Sequence, residues 1–231
     1  MKLEFLTSSA YWAIVISLAS YILGDALKKR FKIAIINPIL ISVILTSVFL
    51  LVTGTDYAQY KASSSILSWL LTPATICLAI PLYEQLSVLK ENKLAILVGI
   101  LSGVLTSFLC ILALAFIFNL NHSEYVTLLP KSITTAIGMG LSEENGGYAS
   151  ITAVLIIMTG IVGNIASPFV LKVLKITDPV ARGVAIGTSS HAIGTTKALE
   201  MGQVEGAVSS LSIVVAGILT VIEVLLVRGL I

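Results

Sequence analysis

Charge is almost absent from six long stretches of this chain, and that constrains the fold more than any other feature. The runs Phe5–Gly24, Ile33–Thr53, Ala62–Tyr83, Leu94–Phe118, Gly147–Leu171 and Gly206–Val227 hold a single Asp, Glu, Lys, Arg or His between them, Glu223. Crossing about 30 Å of hydrocarbon takes roughly 20 apolar residues in a helix, so each run is long enough to span a bilayer. The whole chain agrees: 57% of its 231 residues are hydrophobic and 11% charged, with a mean hydropathy of +1.03. A soluble domain normally carries about 25% charged residues. The runs are apolar on every side and show no two-residue alternation, which predicts a helical membrane bundle rather than a barrel. The fold class expected is therefore all-α and polytopic, a single domain over 1–231. Phe5–Gly24 is too long for the core of a secretory signal and its basic cluster follows it, so it reads as the first span.

Two segments do not fit as ordinary spans. "YVTLLPKSITTAIGMGLSEENGG" (125–147) has Pro130 and Lys131 early and an acidic, glycine-rich end, and "DPVARGVAIGTSSHAIGTTKALEMG" (178–202) has four glycines and a polar middle. Each apolar part is too short to cross and return. Lys and Arg concentrate in cytoplasmic loops. If both segments are re-entrant, nine of these residues fall inside (Lys28, Lys29, Arg30, Lys32, Lys90, Lys93, Lys172, Lys175, Arg182) and three outside (Lys2, Lys61, Arg228). This reading gives four spans over 5–118, an outer hairpin over 125–147, a span over 147–171, an inner hairpin over 178–203 and a last span over 206–227, with both termini outside. Hairpins dipping in from opposite faces are a recurring way to build a transport site at mid-membrane, as in inverted-repeat transporters.

Broken helices supply the chemistry of such sites. Pro73 and Pro81 interrupt the third run. Pro130 suits the first turn of a helix, which would gather free amides, Ser132, Thr134, Thr135 and the Lys131 ammonium at one N-terminus. Gly187 and Gly194 bracket the inner polar bend around Ser189, Ser190, His191 and Thr195. "PATICLAI" from Pro73 and "PKSITTAI" from Pro130 match at four positions, a hint of duplication. The plain alternatives are that Lys131 snorkels to the headgroups and that His191 is a satisfied packing histidine. In the functional reading His191 orients the substrate or carries a coupled proton, and Glu200 and Glu205, at the inner mouth, are further candidates to carry it. Cys77 and Cys110 lie in apolar runs without metal-ligand neighbours and read as buried free thiols. A net charge of +2 without a basic, aromatic-interleaved stretch excludes nucleic-acid binding. Ser190 and His191 are sequence neighbours that point apart on a helix, with no oriented acid, so no hydrolase constellation forms. Neither a cofactor nor a metal site is expected, and the chain does not read as an enzyme.

The motifs "LLTPATICLAIPLYEQL", "LLPKSITTAIG", "ARGVAIGTSSHAIGTTKALEMG" and "EGAVSSLSIV", in order along nearly the whole chain, resemble the LrgB/CidB family of bacterial membrane proteins. The CidB-like branch looks closer, because of "LLPKSITTAIG" and "TKALEM". The resemblance implies a protein of the bacterial cytoplasmic (inner) membrane. Its members are described as holin/antiholin-like modulators of murein hydrolase activity and autolysis, working with a small LrgA/CidA-like membrane protein. Others transport small carboxylates, pyruvate in bacteria and glycolate or glycerate in plastids. No LrgA-like half is present here, so such a partner is expected as a separate polypeptide. The residues themselves favour transport: a cation, an imidazole and many hydroxyls at two opposed hairpins describe an anion site. The expected ligand is a small monocarboxylate held by Lys131, Ser132, Thr134, Thr135, Ser189, Ser190, His191 and Thr195. With so little polar surface, a homodimer in the lipid bilayer is expected.

Overall fold

The computed structural model describes residues 11–31 and 36–231. Lys2, Lys32, the start of the first predicted run and residues 33–35 of the second lie outside the described residues. Helices account for nearly everything described, and no strand occurs among the described residues. The chain divides into two compact units, 1–77 and 78–231.

The first unit holds α1 (Trp12–Phe31), α2 (Pro38–Thr53), α3 (Tyr57–Ser63), α4 (Ser65–Trp69) and α5 (Leu71–Cys77). Asn37 starts α2: its side chain accepts from the amides of Ile39 and Leu40, and Pro38 fills the first helical position, where no amide is needed. Gly54 ends the helix with φ 65°. At 16 residues, α2 is shorter than the run read from the sequence because this cap delays its start. α1 continues past Gly24 through Asp25 to Phe31, pairing Lys29 with Asp25 at 2.6 Å. Gly24 lets α1 approach the Pro38 backbone, where a Cβ would stand 2.9 Å from Pro38 Cα. Trp12 packs its ring against Phe49 and Tyr60, and Ser17 shares a 2.8 Å hydrogen bond with the Tyr60 hydroxyl.

The second unit holds α6 (Ala79–Glu84), α7 (Leu86–Glu91), α8 (Lys93–Phe118), α9 (His122–Leu128), α10 (Thr135–Glu144), α11 (Ala149–Val173), α12 (Pro179–Met201), α13 (Gln203–Val227) and a closing 3-10 turn, Arg228–Leu230. Four stretches are long and apolar enough to cross a membrane: Ser65–Glu84, α8, α11 and Gln203–Leu230. The first is a segmented helix. Its hydrogen-bond ladder is interrupted at Leu70 and Leu78, which both keep right-handed helical φ/ψ, and Pro73 and Pro81 each fall third in the helix that follows. A proline costs little there, because first-turn amides have no partner within the helix. Pro168 lies deep inside α11. Its ring removes a bond to the Asn164 carbonyl, and Ser167 Oγ partly replaces it at 3.5 Å.

Two segments of this unit fold back on themselves. In the first, α9 and α10 run antiparallel about a turn at 129–134. Asn121 and Glu124 form a reciprocal capping box at the start of α9, and His122 Nε2 bonds to the Asn145 carbonyl at 3.2 Å, at the far end of α10. The Tyr148 amide donates to Thr127 Oγ1 at 2.8 Å. The second hairpin lies within α12, whose backbone leaves helical geometry at His191 (φ 39°, ψ −142°). A straight helix would separate Ile186 from Gly194 by about 12 Å, yet a Cβ on Gly194 would stand 3.1 Å from Ile186 Cγ2. Ile186 and Ala198 share one buried cluster with Leu171.

α13 fixes where the two hairpins open. At its start, Glu205 pairs with Arg182 at 3.7 Å, near the entrance of α12. At its end, Arg228 Nη1 donates to Asn145 Oδ1 at 2.7 Å and Tyr125 donates to the Val227 carbonyl. Its 25 residues extend about 37 Å, so the mouths lie at opposite ends of one membrane-length helix.

Candidate functional site

Between the turn of the first hairpin, the first half of α12 and one face of α8 lies a cavity of about 650 Å³. Lys131 and Ser132 come from the turn, Thr188 and Ser189 from α12, and Ser102, Thr106, Ser107 and Cys110 from α8. Asn92 and Asp178 line its other end, beside the α12 entrance. The cavity therefore runs along α8 from the Arg182–Glu205 end toward Lys131.

Lys131 is half-buried. Its ammonium donates to Ser107 Oγ at 3.1 Å and to Ser132 Oγ at 3.0 Å. No described carboxylate is within ion-pair distance. The ion pairs among the described residues are Asp25–Lys29, Arg182–Glu205 and Lys197–Glu200. A cation in an apolar protein is normally paired, so this side chain presents charge to the cavity. Thr188, only 6% exposed, has an enclosed Oγ1 with no hydrogen-bond partner. Ser189 Oγ donates to the Ala185 carbonyl at 2.7 Å and lies 2.9 Å from Ser190 Oγ. The arrangement offers a small anion one charge and several hydroxyls.

The other residues singled out from sequence take different places. Pro130 and Lys131 belong to the turn, and α10 begins only at Thr135, with Thr134 as its N-cap. The expected helix start at Pro130 is thus displaced by five residues, and Thr134 and Thr135 do not line the cavity. Pro73, the sequence counterpart of Pro130, sits in the helix α5 instead. His191 is 3% exposed and its Nε2 donates to the Ile156 carbonyl of α11 at 2.8 Å. A Cβ on Gly160 would collide with this imidazole, and one on Gly163 with Ser190. These two glycines seat the tip of the second hairpin on α11, where Asn164 Nδ2 also donates to the Ile193 carbonyl at 2.8 Å. Thr195 Oγ1 donates to the His191 carbonyl and bonds to Ser209 of α13 at 2.7 Å. Gly187 packs on the Ser209 backbone and Gly194 on Ser190. The chain reverses at His191, between the two glycines and not at either. Ser190, with Ser189, lines a smaller space of about 140 Å³ against α11.

Cys77 and Cys110 are free but exposed, not buried, and Cys110 faces the cavity. The α8 contribution was missed from sequence. Its signal was a stripe of small and hydroxyl residues at helical spacing, Gly99, Gly103, Thr106/Ser107 and Cys110, which reads equally well as helix packing. Gly103 does pack, against the Thr188 methyl.

The LrgB-like family matches residues 17–229. The chain belongs to that family. Relatives named antiholin-like protein LrgB include one from Bacillus subtilis (strain 168), 36% identical over 94% of this chain and 95% of its own length. Others from Bacillus cereus (strain B4264) and Bacillus anthracis (strain CDC 684 / NRRL 3495) are 34% identical over the same shares. No solved structure matches. The LrgB-like chain is a multi-pass helical membrane protein.

Proposed function

We propose that this LrgB-like protein transports a small monocarboxylate, of the size of pyruvate or glycolate, across the bacterial cytoplasmic membrane. The observation that carries the reading is the Lys131 ammonium, held by two serine hydroxyls in a cavity of about 650 Å³ and by no carboxylate among the described residues. A carboxylate would complete the pair. Lys131 would supply the charge, while Ser107, Ser132, Thr188 and Ser189 would replace the water shed by the anion. Leaving such an anion desolvated and unpartnered costs several kcal/mol or more, so a site must supply these contacts. His191, Ser190 and Thr195 would shape the site from behind by fixing the hairpin tip. In this reading the two hairpins enter from opposite faces, the Asn92–Asp178 end of the cavity faces the cytoplasm, and both termini lie outside. A homodimer and a separate LrgA/CidA-like partner belong to the same proposal.

A second reading fits the relatives' name, antiholin-like protein, about as well: a modulator of murein hydrolase export or activity without its own transport cycle. The two separate on one experiment. Purified protein in liposomes is given labelled pyruvate and glycolate, with and without the partner. Saturable uptake above protein-free vesicles, lost in Lys131→Ala, supports transport. Absence of uptake in both conditions, with autolysis control intact in Lys131→Ala cells, leaves the modulator.

A further inference from the structure

We infer that Lys131 is also the proton carrier, so that the anion and one proton cross together. The inference rests on the transport reading and adds the coupling ion and its residue. Among the described residues the amine donates to Ser107 of α8 and Ser132 of its own turn, and apart from Asn92 and Asp178 the other polar side chains lining the cavity are Ser102, Thr106 and Cys110 of α8 and Thr188 and Ser189 of α12. Asp178, the cavity's one carboxylate, lies at the far end with Asn92, where its Oδ1 caps α12 by accepting from the Ala181 amide at 2.8 Å. The imidazole of His191 is turned away, onto Ile156.

Enclosing an ammonium without a counter-ion is strongly unfavourable, whereas a neutral amine or an ammonium–carboxylate pair is not. Lysine, unlike arginine, can lose its charge when buried. Two forms of the site can therefore close and pass between the faces. The empty form carries the amine, held by Ser107 and Ser132. The loaded form carries ammonium and anion, formed when the amine, one proton and one carboxylate combine from the same side. The half-loaded ammonium form stays open to water. Charge balances in each closed form, no bond other than N–H is made or broken, and net transport moves no charge.

Reconstituted protein tests this directly. Wild-type vesicles with labelled pyruvate outside should accumulate it under an inward proton gradient. An internal dye should report about one proton per anion, and a potassium diffusion potential should leave the rate unchanged. Lys131→Arg, which keeps the charge at all times, should retain measurable pyruvate–pyruvate exchange but lose at least tenfold of the gradient-driven net uptake. If wild-type uptake is saturable yet moves no protons and follows the diffusion potential, proton carriage by Lys131 is overturned and transport stands. If Lys131→Arg still accumulates pyruvate with the proton stoichiometry of the parent, the proton is carried elsewhere and the inference also fails. No saturable uptake or exchange by the wild type removes both claims.

Discussion

Lys131 and His191 are bases in the two hairpins of a very apolar protein, but their surroundings differ. Lys131 meets the cavity through Ser107 and Ser132, so under the proposed transport its loss would remove a charge from the ligand, whereas Ser132→Ala would remove one hydrogen bond to that charged centre. Such a bond is worth about 1.5–3 kcal/mol, roughly a ten- to hundredfold change in affinity. Lys131→Ala is expected to weaken pyruvate binding more than Ser132→Ala does, as measured by calorimetry on purified protein. Equal affinities in the two variants would take Lys131 out of the site. His191 is instead buried, bonded to Ile156 and held at φ 39°, a backbone region that costs a non-glycine residue about 1–3 kcal/mol. Replacing it with alanine discards the hydrogen bond and keeps the strain. Replacing it with glycine discards the bond but relieves the strain. Thermal unfolding in detergent should therefore rank the parent above His191→Gly and His191→Gly above His191→Ala. The pH profile of uptake should be unchanged in whichever variant inserts. A reversed glycine–alanine order refutes the strain argument, and a shifted profile would return the imidazole to the substrate.

The hairpins show how far sequence reading carries at the scale of elements. A polar, glycine-rich segment too short to cross twice was visible in both places, because hydropathy and length suffice to mark it. The point of reversal in the second hairpin was not visible. Gly187 and Gly194 looked like the hinges, since glycine is the residue that reverses a chain most cheaply. Both are instead used for close packing, against Ser209 and Ser190, and the reversal falls on a histidine that no local pattern marks. The seat of that tip was hidden for a related reason. Small residues on an apolar helix, such as Gly160 and Gly163, signal only close packing of some kind, yet each faces one residue of the hairpin, His191 and Ser190. A methyl at Gly163 would overlap the Ser190 side chain, so Gly163→Ala should cost about 1–3 kcal/mol of stability by overpacking and lower uptake. Pairing it with Ser190→Gly removes the obstruction, and recovery of the melting temperature relative to Gly163→Ala alone checks the contact. A double variant no more stable than Gly163→Ala would show that the tip is seated elsewhere.

At the scale of the second unit, α13 works as a ruler. Its first turn meets Arg182 through Glu205 and its last meets Asn145 through Arg228, with about 37 Å of helix between. The basic side chains separate along it. Leu89 and Ile96 pack with Val184 in one buried cluster, which places Lys90 and Lys93 at the Arg182 end. Leu171 clusters with Ile186 and Ala198, beside Ile176 and Met201, which brings Lys172 and Lys175 to that end as well. The other end carries Glu124, Glu143 and Glu144 near His122 and Asn145, with Arg228 as the basic side chain of its closing turn. Lys and Arg in short loops favour the cytoplasm, while acidic residues contribute little to orientation, so the Arg182 end should face inward. A cysteine-free parent bearing Lys172→Cys or Glu143→Cys tests the arrangement in intact cells with a membrane-impermeant maleimide. Both positions lie at helix ends away from the cavity, so neither change removes a ligand contact. Glu143→Cys should be labelled from outside, and Lys172→Cys only after the membrane is opened. Labelling of both from outside, or of neither, would show that α11 does not carry the chain from one face to the other, and the opposed hairpins would lose their physical basis.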